Sequence, residues 1–150
     1  MRGTSRGTVV LVVWMIGSCA NVCGAAELLV GTAITNITHE RPIALQGQMH
    51  TRISSAVDAP LEASAVALES RAGDTSLDQA IMVSCDVCYL PERVVEQIRQ
   101  QLRHRLPEFD ARKLFLSATH THTGPVFEEG MYDIPPEGIL PPAEYAAFFV

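Results

Sequence analysis

The chain has 150 residues, of which 47% are hydrophobic and 19% are charged. This length suits about one domain, and this composition excludes a disordered acidic tail and a long charged coiled coil. Eleven Lys and Arg residues against 17 Asp and Glu residues give a formal net charge of −6. A negatively charged chain has no long-range attraction for phosphate backbones, so we expect no nucleic-acid partner. The charge does not exclude a lipid substrate.

The first 26 residues have the pattern of a secretory signal peptide. Two arginines precede a short apolar run over residues 9–16, and small residues follow as far as Ala26. The run is too short to span a bilayer core, which needs about 20 apolar residues in a helix. The sequence therefore predicts a mature chain of residues 27–150 and a secreted or periplasmic location. The alternative is a lipoprotein anchored through Cys19, because the residues before it resemble a bacterial lipoprotein cleavage box.

Residues 27–150 predict an α/β fold in which strands alternate with a helix. β-branched residues over 28–38 indicate a first strand with a turn inside it, and the alternation over 61–68 indicates a second strand. The apolar runs at 79–85 and 114–118 indicate two further strands, each buried on both faces. Residues 39–55, between the first two strands, predict a long loop, and loops of that length tend to be functional or disordered.

One amphipathic helix lies between the third and fourth predicted strands. Pro91 suits a first helical position, because its missing N–H would have no intrahelical partner there. Apolar residues recur at every fourth position from Val94 to Leu106, and Pro107 ends the helix. A strand, a helix and a strand in this order predict a βαβ unit with parallel strands and a right-handed crossover, within a mixed sheet.

The last ten residues, 141–150, indicate the opening of a helix. They end in Phe148, Phe149 and Val150 without a capping residue or a polar stop, and an exposed apolar end is unusual in a soluble domain. We therefore expect that the domain is incomplete at this point.

Two histidines follow the fourth predicted strand directly, within the segment Thr-His-Thr-His-Thr-Gly-Pro at residues 119–125. In extended backbone, residues two apart point to one face, so we expect His120 and His122 to project together, roughly 6–7 Å apart. The carboxyl end of a parallel strand is where open α/β sheets place ligand sites. Neutral imidazole is a zinc ligand, and two histidines supply half of a tetrahedral shell. The alternative is a polar strand end whose histidines hydrogen-bond to neighbouring backbone.

The motif and three other segments resemble the neutral/alkaline ceramidase family, and together they cover roughly residues 28–125 in order. The matching segments are residues 29–38, 58–65, 81–86 and 116–125. They resemble, in turn, the family's opening strand, its Asp-Pro-Leu-x-Ala-x-Ala strand, its apolar strand ending in Asp, and its metal strand. Three positions depart from the family pattern: Asn36 stands where an acidic residue is usual, Ala33 stands where the family has a second glycine, and Ala59 is an extra residue.

This resemblance implies a zinc-dependent amide hydrolase of the ceramidase type, which cleaves N-acylsphingosine into sphingosine and a fatty acid. Zinc suits this reaction because it polarises an amide carbonyl and lowers the pKa of bound water to about 7. In the family the first histidine of the motif, here His120, binds the zinc, and the second, here His122, contacts the substrate or the metal-bound water. The long loop borders the family's active site, so the resemblance implies His50 and Arg52 as substrate contacts.

The same resemblance implies that residues 27–150 are the N-terminal portion of a larger catalytic domain. The family completes its zinc shell with a histidine, a glutamate and a tyrosine far downstream of the motif. This sequence ends before those positions, and the nearby Glu128, Glu129 and Tyr132 are not assigned to them. We expect this chain alone to be inactive on ceramide or related N-acyl lipids. Peripheral contact with a membrane is compatible with such a substrate, and no specific protein partner is inferred.

Cys85 and Cys88 form a Cys-x-x-Cys pair, which is the basis of an alternative from a different class of function. A small exported redox or binding module would use the two thiols, although the surrounding thioredoxin pattern is missing. The simpler interpretation is a buried thiol at a strand end and a second thiol in the following loop. A non-catalytic remnant of the ceramidase family, with the same fold and no turnover, is a further alternative. Asp86 either caps this loop or hydrogen-bonds to a histidine at the same sheet edge.

Overall fold

A computed structural model describes residues 26–150. The predicted signal peptide, apart from Ala26, and the alternative lipid-anchor residue Cys19 lie outside the described residues. The regular elements, in chain order, are β1 (Glu27–Asn36), β2 (Glu62–Ala72), β3 (Thr75–Cys85), α1 (Glu92–Arg105), a 3-10 turn (Ala111–Lys113), β4 (Leu114–Ala118) and α2 (Pro142–Phe149). No helix within 26–150 has both the length and the apolar character that crossing a bilayer requires.

The four strands form one mixed sheet in the order β1-β2-β3-β4. β1 pairs antiparallel with β2, and β2 pairs antiparallel with β3, whereas β3 and β4 are parallel neighbours connected through α1. This arrangement contains the predicted βαβ unit and confirms an α/β fold with a mixed sheet. Parallel pairing brings the carboxyl ends of β3 and β4 to the same edge, where Cys85 lies opposite Ala118.

β1 is one uninterrupted strand, so the turn predicted inside it is wrong. Every residue from Glu27 to Asn36 has a partner on β2, and Gly31 lies opposite Ala67. A glycine causes no break here because the neighbouring strand supplies its hydrogen-bonding partners. β2 and β3 are longer than the sequence indicates, because they continue as a hairpin to a tight turn at Gly73, whose φ is +57°.

β3 and β4 are covered on one face only, which contradicts the prediction that both strands are buried on both faces. Cys85 and Leu114 are buried, whereas Met82 and Phe115, which pair on the opposite face, are 45% and 59% exposed. Among the described residues, α1 packs through Val94 against the face that carries Cys85. A continuous apolar run therefore indicates a strand without specifying how many of its faces are buried.

The main core lies at the carboxyl ends of β3 and β4, where both helices and the segment between β1 and β2 meet. Val87, Val94 and Phe127 have no exposed surface, and Tyr145 is 1% exposed. The Tyr145 hydroxyl donates a hydrogen bond to the Ile37 carbonyl at 2.7 Å, and its ring lies edge-on to Phe127 with the centroids 5.4 Å apart. This core supports the loops that leave the same edge of the sheet.

Residues 37–61, called the long loop below, contain no helix or strand, as the sequence predicts. The middle of this loop is nevertheless buried, and Ala44 is only 3% exposed. Single bridges pair Ala44 with Ile53 and Leu45 with Pro125. The long loop is therefore a packed part of the domain, and it brings its side chains to the carboxyl edge of the sheet.

Candidate functional site

The histidine motif, residues 119–125 (the motif loop), begins where β4 ends. The Thr119 N–H donates to the Cys85 carbonyl at 2.9 Å, and the His120 N–H donates to the Val87 carbonyl at 3.0 Å. These two bonds continue the contact between β3 and β4 beyond the last strand residues. The motif loop is therefore fixed against the segment that leads from β3 into α1.

His120 has a φ of +63°, which is the left-handed region. That conformation costs a non-glycine residue about 1–2 kcal/mol, so the surrounding contacts must hold it in place. The backbone turns after His120, and the prediction that both histidines lie on extended backbone is therefore wrong. Their rings nevertheless lie together, with centroids 5.1 Å apart and planes at 69°. The predicted pairing of the imidazoles is present, and a turn produces it.

The ring of His120 is oriented by a backbone carbonyl. Its Nδ1 lies 2.7 Å from the carbonyl oxygen of Cys88. A carbonyl only accepts hydrogen bonds, so Nδ1 carries the proton and a neutral ring has its lone pair on Nε2. Metal-binding histidines usually have this kind of bond on the nitrogen that does not face the metal, because it fixes the tautomer and the ring orientation. His120 is therefore prepared to bind a metal through Nε2.

Cys88 joins the two histidines in a group of three metal-ligand side chains. One ligand atom from each of Cys88, His120 and His122 lies within 4.8 Å of the other two. Cys88 is buried, and both imidazoles are exposed to solvent. The sulfur of Cys88 lies 3.9 Å from Nδ1 of His120, which is the nitrogen that the Cys88 carbonyl occupies and not the Nε2 that is free for a metal. Two nitrogens and one sulfur are a donor set that suits zinc.

Both thiols of the Cys-x-x-Cys pair are free and buried. Burial raises the pKa of the Cys88 thiol. Burial, with a smaller contribution from the negative charge of Asp86, raises the pKa of Cys85 to about 11. Because the thiolate is the reactive form in thiol–disulfide exchange, these environments do not favour a redox module.

The long loop holds His122 from the other side. The Arg52 guanidinium donates from Nη2 to the His122 carbonyl at 2.5 Å. Gly47 has a φ of +90°, and a Cβ atom on it would lie 2.5 Å from Cγ of the His122 ring. Only a glycine allows this approach, so the backbone of Gly47 packs against the imidazole. Sequence reasoning missed this role, because nothing near Gly47 indicates that its neighbour lies 75 residues further along the chain.

The other polar residues singled out in the sequence lie outside the histidine pair. His50 is exposed in the long loop and is not one of the three grouped side chains. The Asp86 carboxylate accepts from the Glu62 N–H at the start of β2 at 3.1 Å, and Nδ1 of His120 is held by the Cys88 carbonyl instead. The three unassigned residues are engaged elsewhere: Glu128 with Tyr89, Glu129 with the Ala143 N–H, and Tyr132 with the Gln48 carbonyl.

A groove of about 610 Å³ lies beside the motif loop. Thr121 and Thr123 form part of one wall, and Arg52, Leu61 and Asp86 also line it. Its size is within the range of small-molecule sites, roughly 300–1,000 Å³. A second, more apolar groove of about 520 Å³ lies between β1–β3 and the end of α1. Neither His120 nor His122 lines either groove, but only the first has residues of the motif loop in its wall. The groove beside the motif loop is therefore the better candidate for a substrate site.

Comparison with known proteins identifies the fold. Neither a protein-family model nor a curated protein matches the sequence. The crystal structure of neutral ceramidase from Pseudomonas aeruginosa matches 69% of this chain with a TM-score of 0.62 and 22% sequence identity. A structure of ceramidase complexed with C2 matches the same share with a TM-score of 0.58 and 21% identity. The chain has a neutral ceramidase-like fold.

The ceramidase-like fold confirms the resemblance that the sequence segments indicate. The chain spans 16% of the length of each matched ceramidase structure. At 21–22% identity the likeness establishes the fold of the shared part.

Proposed function

We propose that this chain carries part of the active site of a zinc-dependent amide hydrolase of the ceramidase type. The observation that supports it is the pairing of His120 and His122 at the carboxyl edge of a ceramidase-like fold, with the Nε2 atom of His120 available to a metal. His120 is the metal ligand in this proposal. Zinc, when bound, supplies a Lewis acid that activates an amide carbonyl and a water molecule.

The remaining residues of the site bind and orient the substrate, a ceramide or related N-acyl lipid. His122 is exposed beside the metal ligand, where its ring can hydrogen-bond the amide group of a substrate. Arg52 positions His122 through its carbonyl and lines the groove beside the motif loop, so a head group in that groove would meet its charge. His50, which is exposed in the long loop, is a second substrate contact. An exported protein of this kind would meet its lipid at a membrane surface, secreted or in the periplasm.

Metal analysis of the purified chain tests the proposal. We expect zinc uptake that His120→Ala lowers by at least about 100-fold in affinity, because a direct ligand should matter more than outer-shell partners, whose loss costs about 10–100-fold. The matched control is His104→Ala, which removes an exposed histidine near the end of α1. Equal zinc uptake by the unaltered chain, His120→Ala and His104→Ala would contradict the assignment of His120. Absence of zinc uptake from all three proteins would contradict it too.

Fatty-acid release from N-acylsphingosine tests the reaction itself. The family completes its zinc shell with residues downstream of the motif, so we expect no release by this chain alone. Release that His120→Ala abolishes would overturn that expectation and would show that the chain holds a sufficient ligand set. A chain that binds zinc through His120 but releases no fatty acid would match the non-catalytic alternative.

A further inference from the structure

We infer that Tyr89 and Glu128 are positioning residues for the metal ligand His120, and that they act on its ring through the backbone carbonyl of Cys88. This role rests on the proposed function, because His120 is the metal ligand there. The orientation of the ring can nevertheless be measured without a metal, so the two proposals have separate tests. The inference also gives a use to Glu128, which lies close to the motif in sequence and is not assigned to the zinc shell.

The peptide unit that joins Cys88 to Tyr89 orients the ring of His120. Its carbonyl oxygen lies 2.7 Å from Nδ1 of His120. A peptide unit is planar, so this oxygen changes direction only if the whole unit turns, and the backbone nitrogen of Tyr89 turns with it. Whatever fixes Tyr89 therefore also fixes the group that accepts the Nδ1 proton.

No helix or strand holds this peptide unit. β3 ends at Cys85 and α1 begins at Glu92, so the unit lies in the connection between them. On the side of β3 the connection is fixed by the Val87 carbonyl, which accepts from the His120 N–H at 3.0 Å. Within residues 26–150 the Tyr89 N–H has no hydrogen-bond acceptor, so on the other side the Tyr89 hydroxyl is the polar anchor.

The side chain of Tyr89 is held by Glu128. Its hydroxyl donates a hydrogen bond to Oε2 of Glu128. Burial, and then this hydrogen bond, raise the pKa of Tyr89, so the hydroxyl keeps its proton and remains a donor at neutral pH. A hydrogen bond to a carboxylate is stronger than one between neutral groups. Glu128 itself follows Val126 and Phe127, which are 2% and 0% exposed, so the core fixes its backbone.

The motif loop is thus tied to one connection near both of its ends. His120, near its start, bonds to the Cys88 carbonyl, and Glu128, three residues after its end, bonds to Tyr89. Outer-shell partners of a metal-binding histidine fix its tautomer and orientation, and their loss costs about 10–100-fold in metal affinity. Tyr89 and Glu128 act one step further from the metal, so we expect a smaller loss, of about three- to tenfold.

The tautomer of His120 in the metal-free chain tests the inference. Long-range ¹H–¹⁵N NMR spectra distinguish the Nδ1–H and Nε2–H tautomers of a neutral imidazole, and His120→Ala identifies the signals of His120. At about pH 8, where free imidazole is neutral, we expect the Nδ1–H form in the unaltered chain. Tyr89→Phe keeps the ring and removes the hydroxyl. We expect it to shift His120 towards the Nε2–H form, which free histidine prefers in water, and to lower zinc affinity by about three- to tenfold.

Tyr132→Phe is the matched control. The Tyr132 hydroxyl also donates a hydrogen bond from a half-buried side chain, but its acceptor is the Gln48 carbonyl, at 2.8 Å. We expect this variant to leave the tautomer of His120 unchanged. Glu128→Leu removes the other partner of the Tyr89 bond, so it should reproduce the effects of Tyr89→Phe. The double variant should show no larger effect than either single variant, because the residues act through one bond.

An unchanged His120 tautomer in Tyr89→Phe would overturn the inference even if zinc affinity falls, because a purely structural role weakens binding without changing the tautomer. Effects that add in the double variant would overturn it too, since the two residues would then act separately. In either case zinc binding that depends on His120 leaves the proposed function intact. If the unaltered chain binds no zinc but the tautomer responds as expected, the proposed function fails and the positioning of His120 stands.

Discussion

Two irregular segments meet at the histidine pair, and they are held in different ways. The motif loop is fixed by backbone hydrogen bonds to the end of β3 and the segment that follows it, such as the bond from the His120 N–H to the Val87 carbonyl. The long loop reaches the same place through contacts between distant parts of the chain. Its Gln46 N–H donates to the Gly124 carbonyl at 3.0 Å, and its Arg52 side chain donates to the His122 carbonyl.

The two loops have different roles in the site: the motif loop carries the histidines, and the long loop holds one of them in position. The motif loop supplies donor atoms, because both histidines belong to it and its backbone bonds place Cys88 beside them. The long loop supplies no donor to the group of three, and it fixes the position of His122 instead. We therefore expect changes in the long loop to misplace one donor, and changes in the motif loop to displace the whole group.

The largest effect is expected for Gly47→Ala, in the long loop. A left-handed backbone costs alanine about 1–2 kcal/mol. The new methyl group would also lie 2.5 Å from the His122 ring, so the ring must move. We expect a loss of about 1–3 kcal/mol in the free energy of unfolding and about a tenfold fall in zinc affinity, equivalent to about 1.4 kcal/mol. Denaturant unfolding and zinc titration measure the two quantities.

Gly138→Ala is the control for that variant. Gly138 has a φ of +77°, and a Cβ atom on it would meet nothing within 4 Å. The substitution therefore adds the backbone cost without a clash, and we expect a loss of stability with unchanged zinc affinity. If Gly47→Ala also leaves zinc affinity unchanged, the long loop does not set the position of His122.

A smaller effect is expected for Gly124→Ala, in the motif loop. A Cβ atom there would lie 3.0 Å from Cα of Val87 and 3.2 Å from the Asp86 carbonyl oxygen, so two backbone segments must separate. Overpacking of this kind costs about 1–3 kcal/mol. We expect a value near the lower end, together with weaker zinc binding, because the Val87 carbonyl and the Cys88 carbonyl hold His120 in place. Thermal unfolding and zinc titration check the two effects.

Gly31→Ala is the comparison for Gly124→Ala. The nearest atom to a Cβ on Gly31 is Cβ of Ala67 at 3.9 Å, an ordinary contact. Replacing a strand glycine by alanine without strain stabilises by about 0.4–1 kcal/mol. If Gly31→Ala is destabilised as well, the loss of stability in Gly124→Ala comes from replacing a glycine by alanine. It would then not be evidence for a clash between the new Cβ atom and Val87.

Local pattern predicts the elements that carry the site. The apolar spacing after Pro91 predicts α1, and the apolar run before Thr119 predicts β4, because each pattern involves residues that are close in sequence. Their order then predicts the parallel pairing that brings two strand ends to one edge. This reasoning places the motif correctly and predicts that the two imidazoles lie together.

Three features of the site depend on contacts that no local pattern encodes. The left-handed backbone of His120 is imposed by its bonds to the neighbouring segment. The proximity of Cys88 follows only from the exact register of β3 and β4. The packing of Gly47 on His122 joins two loops that are remote in sequence. In each case the partner is a backbone group or a distant residue, so the side-chain pattern of one segment carries no signal for it.

The smallest effect is expected for Arg52→Met, which keeps an unbranched side chain but removes the guanidinium that donates to the His122 carbonyl. Hydrogen bonds from charged donors contribute about 1.5–3 kcal/mol when buried, and Arg52 is half-buried, so we expect about 1 kcal/mol. Zinc affinity should fall by no more than about fivefold, because His122 keeps its contact with Gly47. Denaturant unfolding and zinc titration are again the measurements.

Arg93→Met separates positioning from simple stability, because Arg93 also donates to a backbone carbonyl, that of Phe127, which is not a residue of the histidine pair. Both variants should lose a similar amount of stability, and only Arg52→Met should weaken zinc binding. If Arg52→Met instead leaves zinc affinity unchanged and weakens binding of an N-acyl lipid, Arg52 contacts the substrate directly. The long loop would then be a wall of the substrate groove, and the orientation of His122 would depend on Gly47 alone.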